Sequence, residues 1–259
     1  MNKYILCFAS IILLCVALIG SSFKAADQSQ SKSSKNFAAD SVYNQYILDL
    51  YQTADLDSVG LSEQVFKKAL TGYYNMKYRG LLHDKSVLTI ADFDQESRKK
   101  RLYIIDIDKK KLILNTWVAH GQNSGGDKPS NFSNIQNSNQ SSLGFYLTGE
   151  IYFGKHGRSL KLNGMDQNFN SKARDRAIVV HGADYVSQET INKLGRLGRS
   201  QGCPAVPTKL ANKVIDAISD RTVLFINSSE QTYQSSLLNE TLAANAALNQ
   251  NNMMAAQMD

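Results

Sequence analysis

From about residue 86, short apolar runs alternate with polar turns along the chain. The runs are rich in β-branched and aromatic residues, and their lengths are typical of β-strands rather than helices. Seven strands are predicted: Val87–Phe93, Leu102–Ile107, Leu112–Ala119, Gly144–Thr148, Ser159–Leu162, Ala177–His181 and Thr222–Ile226. We therefore expect a fold that is mainly β with some α, in which a mixed sheet forms a sandwich or a barrel.

Apolar residues at helical spacing lie on both sides of these strands. Residues 41–80 are predicted to form a small helical lead-in, in which Ser62 caps the second of two helices. A further helix is predicted over Lys209–Ile218, capped by Thr208. Residues 229–259 are rich in Gln, Asn, Ala and Met, and Leu238, Leu242 and Ala246, each four apart, fit a weak amphipathic helix. This predicts a polar tail that is mobile or loosely attached.

The N-terminal segment has the pattern of an export signal. Lys3 precedes an apolar run over Tyr4–Ile19, and small residues follow it. This predicts a signal peptide over residues 1–22 and then a flexible linker over residues 23–40, which is rich in Ser, Lys and Gln. We expect an exported protein of the periplasm or cell envelope, with no stable membrane span after cleavage. Retention of the segment as an anchor is the alternative.

Export changes the interpretation of the cysteines. Two of the three, Cys7 and Cys15, lie inside the predicted signal, so the mature chain keeps only Cys203. In an oxidising compartment structural cysteines are paired, and an unpaired one indicates a reactive thiol or an intermolecular bond. The alternative is a buried thiol that packs as a small apolar group.

The formal net charge of +6 is compatible with an anionic envelope. The basic runs Arg98–Arg101 and Lys109–Lys111 flank predicted strands and are interpreted as solvated turns. No nucleic-acid motif is present, and aromatic residues are not interleaved with the charges, so no nucleic-acid partner is expected. Residues 121–142 form a long polar segment, which indicates a functional or disordered loop.

Two residues carry candidate chemistry. A predicted strand ends at His181-Gly182, and a turn of small residues, Ser200-Gln201-Gly202, then delivers Cys203. A cysteine nucleophile reacts as its thiolate, and a nearby imidazole takes its proton. The pattern therefore predicts a Cys–His catalytic pair.

These residues resemble the L,D-transpeptidase catalytic domain, also called the YkuD domain. The usual pattern is a His followed by Ser/Thr-His-Gly-Cys, a hydrophobic residue and Asn. This chain has Gln201 in place of the second His and Ala205 in place of the Asn, and so resembles a divergent murein L,D-transpeptidase branch. The resemblance covers about residues 60–228 and includes three further segments: His120-Gly121, Ser141–Gly144 and Tyr152–Leu160.

The resemblance implies a YkuD-like catalytic domain over residues 81–228 and a chemistry. In the family, the cysteine attacks the carbonyl between the third residue of a peptidoglycan stem and the terminal D-alanine. D-alanine leaves, and an amine of a neighbouring stem resolves the thioester into a 3–3 cross-link. Carried over, Cys203 is the nucleophile, His181 is the base, and the Gly182 carbonyl orients the imidazole.

Five further residues are candidates for binding substrate: His120, His156, Arg199, Ser200 and Gly202. Each has a structural alternative, such as a histidine at a strand end, a surface arginine or a serine that closes a turn. No cofactor or metal is expected. A zinc site built from the histidines with Asp166 or Asp184 is the alternative, but the spacings match no short metal motif.

The predicted function is an exported cysteine acyltransferase that acts on peptidoglycan stem tetrapeptides, as a monomer. Two alternatives stay open on the sequence. With water as acceptor, the same site would make the protein an L,D-carboxypeptidase. Without chemistry, the protein would be a peptidoglycan-binding protein of the envelope.

Overall fold

The computed structural model describes residues 41–229 and 232–256. The predicted signal peptide, residues 1–22, and the predicted linker, residues 23–40, lie outside the described residues. Within the described part, no helix is long and apolar enough to cross a membrane.

Apolar residues alternate between two cores along the central strands. In β1 (Val87–Asp92), Leu88 and Ile90 join one core, whereas Val87 and Ala91 join the other. The same period of two occurs in β2 (Leu102–Asp106) and β8 (Val223–Asn227). Successive side chains of a strand point to opposite faces, so apolar runs without polar interruptions correspond to a sheet that is buried on both faces.

Eight strands form one mixed sheet in the order β3-β2-β1-β8-β4-β5-β6-β7. The remaining strands are β3 (Lys111–Thr116), β4 (Gly144–Gly154), β5 (Gly157–Gly164), β6 (Val179–Ala183) and β7 (Ala205–Pro207). Ala119, just beyond the β3 edge strand, forms a bridge to Ala205 in the opposite edge strand β7. This bridge nearly closes the sheet into a barrel, and it confirms the predicted fold class.

A layer of helices covers one face of the sheet. It contains α1 (residues 41–53), α2 (Glu63–Tyr78) and α5 (Glu240–Ala256). Ser62 caps α2 as predicted, since its hydroxyl accepts a hydrogen bond from the Val65 N–H at 3.3 Å. Gly72 lies directly over the Phe145 ring, and a Cβ at that position would come within 2.0 Å of the ring. The absence of a side chain there lets α2 pack closely on β4.

The C-terminal segment is docked on this layer, in contrast to the mobile tail that its composition predicts. Leu237, in a 3₁₀ turn over Ser236–Leu238, is buried among α1, α2 and the sheet. The Asn75 side chain in α2 donates hydrogen bonds to the Leu237 and Asn239 carbonyls at 2.8 and 2.9 Å. Asp166 accepts hydrogen bonds from Tyr233 and Ser235, which fixes the chain just before the turn.

The other core lies between the sheet and α4 (Thr208–Ile218). Val214, Ile215 and Ile218 face inward as predicted. The prediction that Thr208 caps this helix is wrong, because the N-cap position is Pro207, which makes no side-chain capping bond. Instead, the Thr208 hydroxyl donates a hydrogen bond to Asp184 at 2.6 Å. A short helix, α3 (Gln188–Leu194), which the sequence pattern did not predict, follows β6.

The interpretation of the basic run Arg98–Arg101 as a solvated turn is wrong for Arg101. The side chain is fully buried, and its guanidinium donates hydrogen bonds to the Gln95 and Val118 carbonyls at 2.6 to 3.2 Å. It also lies over the Phe93 ring at 4.6 Å. Burial lowers the pKa of Arg101 to about 9, so it stays charged at neutral pH. A buried arginine is tolerated where its donors are satisfied in this way.

Candidate active site

His181 is the third residue of β6, where it pairs with Ser159 of β5 on one side and Ala205 of β7 on the other. The ring is 1% exposed, and Nδ1 lies 2.9 Å from the Gly182 carbonyl oxygen. A carbonyl only accepts hydrogen bonds, so Nδ1 carries the proton and Nε2 keeps a free electron pair. Gly182 thus has the contact that the resemblance implies for the residue that orients the base.

Helix α4 requires a glycine at position 182. A Cβ there would come within 2.9 Å of the Ala211 Cβ and 3.2 Å of the Thr208 Cα. The close approach of α4 therefore holds the backbone whose carbonyl contacts His181.

Burial lowers the pKa of His181. The Gly182 hydrogen bond opposes this shift, and the Coulombic effects of His156 and Lys155 add to it. The imidazole is therefore neutral at neutral pH, which is the form that can act as a base.

Ser200 shapes the turn before Cys203. Its hydroxyl donates a hydrogen bond to the Cys203 carbonyl at 2.6 Å and accepts one from the Gly202 N–H at 3.0 Å. Its main chain is held as well, because the Ser200 N–H donates to the His120 carbonyl at 2.9 Å. Ser200 therefore supports the turn of residues 200–203, which we call the Cys203 turn, and its hydroxyl is already engaged inside the protein.

Gly202 has a left-handed backbone, with φ +122°. A Cβ there would also lie within 2.7 Å of the Gln140 carbonyl oxygen. Position 202 therefore needs glycine for two independent reasons, its backbone conformation and the close approach of the neighbouring loop.

The Cys203 thiol is half-buried and lies 3.7 Å from the Ala177 carbonyl oxygen. Ala177 has a positive φ of 53°, a conformation that costs energy for a residue with a Cβ. Burial raises the pKa of the Cys203 thiol, and the backbone of Val179 and the charges of Arg176 and Lys155 partly oppose that rise. At neutral pH the thiol thus keeps its proton until a base removes it.

Cys203 and His181 line the same cavity, which has a volume of about 390 Å³. Five of the eight predicted site residues line it: Cys203, His181, His156, Arg199 and Ser200. The rest of the wall consists of residues that the sequence does not single out as site candidates: Gln122, Tyr152, Lys155, Arg176, Ala177, Val179, Tyr185 and Gln201. Lys155 and Tyr152 lie in the segment that carries the resemblance, which is the only sequence signal for them.

His156 lies against the candidate base. Residues 155 and 156 form the two-residue turn between the paired glycines Gly154 and Gly157 of β4 and β5. The His156 and His181 rings are stacked, with centroids 4.1 Å apart and an interplanar angle of 19°. Burial lowers the pKa of His156, with a further contribution from Lys155, so two neutral rings stack at neutral pH.

His120 is placed elsewhere. Its side chain is fully buried and does not line the cavity; its Nδ1 lies 2.8 Å from Nη2 of Arg101. Burial, reinforced by the Arg101 charge, lowers the pKa of His120 to about 3. The ring is therefore a neutral acceptor for Arg101, and its main chain supports Ser200.

The polar segment 121–142 packs against the Cys203 turn. The Ser141 hydroxyl donates a hydrogen bond to the Gly202 carbonyl at 3.2 Å and accepts one from the Gly121 N–H at 3.0 Å. Phe132 packs on the core and stacks on Phe93, whereas Ile135 is 70% exposed. The loop therefore serves as a wall that fixes Gly202, and hydrogen bonds rather than a strand pattern hold it in place.

No three His, Cys, Asp or Glu side chains among the described residues are grouped as a metal site requires. The two carboxylates of the zinc alternative are engaged elsewhere. Asp166 accepts from the Phe145 N–H and the Tyr233 hydroxyl, and Asp184 accepts from Thr208.

Comparison with known families identifies the domain. The sequence profile of the YkuD_2 family, the L,D-transpeptidase catalytic domain, matches residues 57–227, about two thirds of the chain. The chain belongs to the L,D-transpeptidase catalytic domain family. The resemblance seen in the sequence is thereby confirmed, and the matched region contains His181 and Cys203.

Solved structures similar to this L,D-transpeptidase domain share little sequence with it. An L,D-transpeptidase from Mycobacterium smegmatis has 10% identity and a TM-score of 0.35, and the match covers 55% of this chain and 59% of that one. The helical cell shape determining protein Pgp2 from Campylobacter jejuni has 13% identity and a TM-score of 0.38, with 67% and 62% covered. An L,D-transpeptidase from Mycobacterium tuberculosis has 13% identity and a TM-score of 0.33, with 55% and 58% covered. The match thus spans about three fifths of the length of these chains. A search of curated proteins gave no significant match.

Proposed function

We propose that this protein is an exported cysteine acyltransferase that acts on the stem tetrapeptides of peptidoglycan. In this proposal it releases the terminal D-alanine and forms 3–3 cross-links through a thioester on Cys203. The observation that carries the proposal is the bond from His181 Nδ1 to the Gly182 carbonyl at 2.9 Å, in a cavity that His181 shares with Cys203. That bond leaves the other ring nitrogen free to accept a proton.

The proposed first half-reaction uses the pair in order. Nε2 of His181 takes the thiol proton of Cys203, and the sulfur attacks the carbonyl between the third residue and D-alanine. The carbonyl π electrons move to oxygen and return as the C–N bond breaks. The imidazolium gives its proton to the departing amine of D-alanine, which leaves an acyl-thioester and a neutral base.

The second half-reaction mirrors the first. The amine of a neighbouring stem loses a proton to His181 and attacks the thioester carbonyl. Collapse expels the Cys203 thiolate, which recovers its proton from the imidazolium. The product is an amide cross-link between two third residues, and the enzyme is regenerated.

The negative charge that develops on the carbonyl oxygen during the attack needs a hydrogen-bond donor to stabilise it. The Gly202 N–H is already bonded to Ser200, and so is not the donor. Within the described part of the chain, no hydrogen bond donated by the Cys203 N–H is found. We assign the Cys203 N–H as the main-chain donor to the oxyanion, because it lies on the nucleophile itself.

Intact-mass measurement of residues 23–259 with a disaccharide-tetrapeptide tests the proposal. We expect release of D-alanine and an acyl adduct that maps to Cys203. The adduct should be absent in Cys203→Ala, and His181→Gln should slow acylation by about 100-fold or more. His83→Gln is the matched control, because His83 is exposed, pairs with Asp220 and lies outside the cavity.

The products separate the alternatives. A cross-linked dimer indicates transfer, whereas a free tripeptide indicates an L,D-carboxypeptidase. A folded, reduced protein that gives neither adduct nor D-alanine would contradict the catalytic proposal and favour a peptidoglycan-binding role.

A further inference from the structure

The walls of the active-site cavity carry charge of one sign. Three of the residues that line it have cationic side chains, namely Lys155, Arg176 and Arg199, and none is Asp or Glu. A cavity with this lining attracts anionic groups of a ligand and repels cationic ones.

Two of the three cations are occupied by the protein itself. Arg176 donates to the Ser133 and Gln140 carbonyls at 2.6 and 2.5 Å and also contacts the Ser138 and Ser142 hydroxyls. Arg199 donates to the Gln122 and Gly125 carbonyls at 3.2 and 2.7 Å. Both guanidiniums therefore serve to hold the loop of residues 121–142 in place.

Lys155 is different. Its side chain is exposed, and it forms no hydrogen bond or ion pair with any residue that the structure describes. An ammonium group with three unused donors at the wall of a cavity is suited to a ligand anion.

The backbone of Lys155 is nonetheless fixed relative to the catalytic pair. It occupies the tight turn between Gly154 and Gly157, and its neighbour His156 stacks on His181. The Lys155 charge also acts, after the dominant effect of burial, on the pKa values of His181 and Cys203. The ammonium therefore operates close to the atoms that would react.

We propose that Lys155 binds the terminal carboxylate of the D-alanine that leaves, and so selects acyl donors that end in a free acid. This inference rests on the proposed function. When the scissile carbonyl lies at the Cys203 sulfur, the terminal carboxylate is attached to the very next Cα and lies within a few bonds of it. A flexible lysine at the same wall can reach that carboxylate, and water competes less for the pair inside a cavity than on an open surface.

Binding to a protein that cannot react gives the direct test. In the full chain with Cys203→Ala, the affinity for a tetrapeptide is compared with that for its C-terminal carboxamide by calorimetry. We expect about tenfold tighter binding of the free acid, since a charged hydrogen bond is lost in the amide. Adding Lys155→Gln should abolish the preference by weakening the acid alone, and Lys155→Arg should retain it.

A control and a second readout separate charge recognition from a structural role. Lys172 is exposed and outside the cavity, so Lys172→Gln should leave the preference unchanged. The preference of the Cys203→Ala protein should also shrink as salt is raised, because mobile ions screen an accessible pair. Amidation of the third-residue carboxylate instead of the terminus should leave the effect of Lys155→Gln intact.

The outcomes distinguish this inference from the proposed function. Selective binding of the acid that depends on Lys155, without D-alanine release by the unmutated protein, would support the carboxylate site and refute the transferase. D-alanine release with equal affinity for acid and amide would support the transferase and overturn the role of Lys155. Equal weakening of acid and amide by Lys155→Gln, or binding of neither form, would also overturn it.

Discussion

The helical layer and the Cys203 turn, residues 200–203, are each stabilised by a different kind of interaction. In the helical layer, apolar side chains of α1, α2, α5 and the sheet form one continuous core. Around Cys203, the contacts are mostly hydrogen bonds between hydroxyls and main-chain groups, such as Ser200 to Cys203 and Ser141 to Gly202. Apolar burial supplies most of the stability of a domain, whereas hydrogen bonds fix geometry at a small net gain. The first region stabilises the fold, and the second fixes the position of one sulfur atom.

The largest effect is expected from the helical layer. Leu237→Ala should lower the free energy of unfolding by about 3 kcal/mol, because it leaves a cavity under a fully buried side chain. Urea denaturation of the purified protein measures this loss. Leu242→Ala, on the more exposed face of α5, is the matched control and should cost much less. Equal losses for both variants would show that the C-terminal segment is not docked in solution.

At the Cys203 turn we expect a smaller loss of stability than in the helical layer, together with a change in the reactivity of the Cys203 thiol. Ser141→Ala removes two buried hydrogen bonds, those to Gly202 and Gly121, and should cost about 1 to 2 kcal/mol. Because Gly202 directly precedes Cys203, alkylation of Cys203 should change in rate even where the protein is fully folded. Ser130→Ala, in the exposed part of the same loop, should change neither quantity. Unchanged alkylation in Ser141→Ala would mean that the loop does not position the sulfur.

The smallest effect concerns charge. Burial raises the pKa of Cys203, and Lys155 is one of the cations that oppose the rise. Removing a positive charge destabilises the thiolate, so Lys155→Gln should raise this pKa and shift the alkylation profile with neutral iodoacetamide to higher pH. The Lys172→Gln profile should overlay that of the unmutated protein. A shift to lower pH would contradict the electrostatic role of Lys155.

The same contrast explains which parts of the fold were predictable. The central strands are recognisable in the sequence as short, uninterrupted apolar runs, because both faces of the sheet are buried. The strand Ala205–Pro207 was not predicted, since three residues that include a proline give no period. The weak helical spacing of the C-terminal segment does not predict its close packing, because the buried residues of that helix are the small Ala243, Ala244 and Ala247, which give little contrast in hydrophobicity.

The site could be predicted only at residues whose type is rare in the sequence and chemically reactive. Cys203 is the only cysteine of the sequence outside the predicted signal segment, and His181 lies at the end of a predicted apolar strand, so the sequence indicates both. The hydrogen bonds from Ser141 and Arg176 to main-chain carbonyls cannot be predicted from a sequence pattern, because every residue has a carbonyl that could accept them. His120 was selected as a ligand-binding residue, but burial beside Arg101 keeps it away from the cavity. Sequence alone does not distinguish those two environments.

The bond from Asn75 to the Leu237 carbonyl has a kinetic consequence, since it joins residues that are 162 positions apart. A chain that is synthesised from its N-terminus makes α2 long before it makes the turn that completes this layer. Until the last described segment arrives, the apolar side of α2 remains only partly covered. Contacts between such distant positions slow folding because a large loop must close first. We therefore expect this core to be completed late in folding, once the turn that contains Leu237 can reach α2.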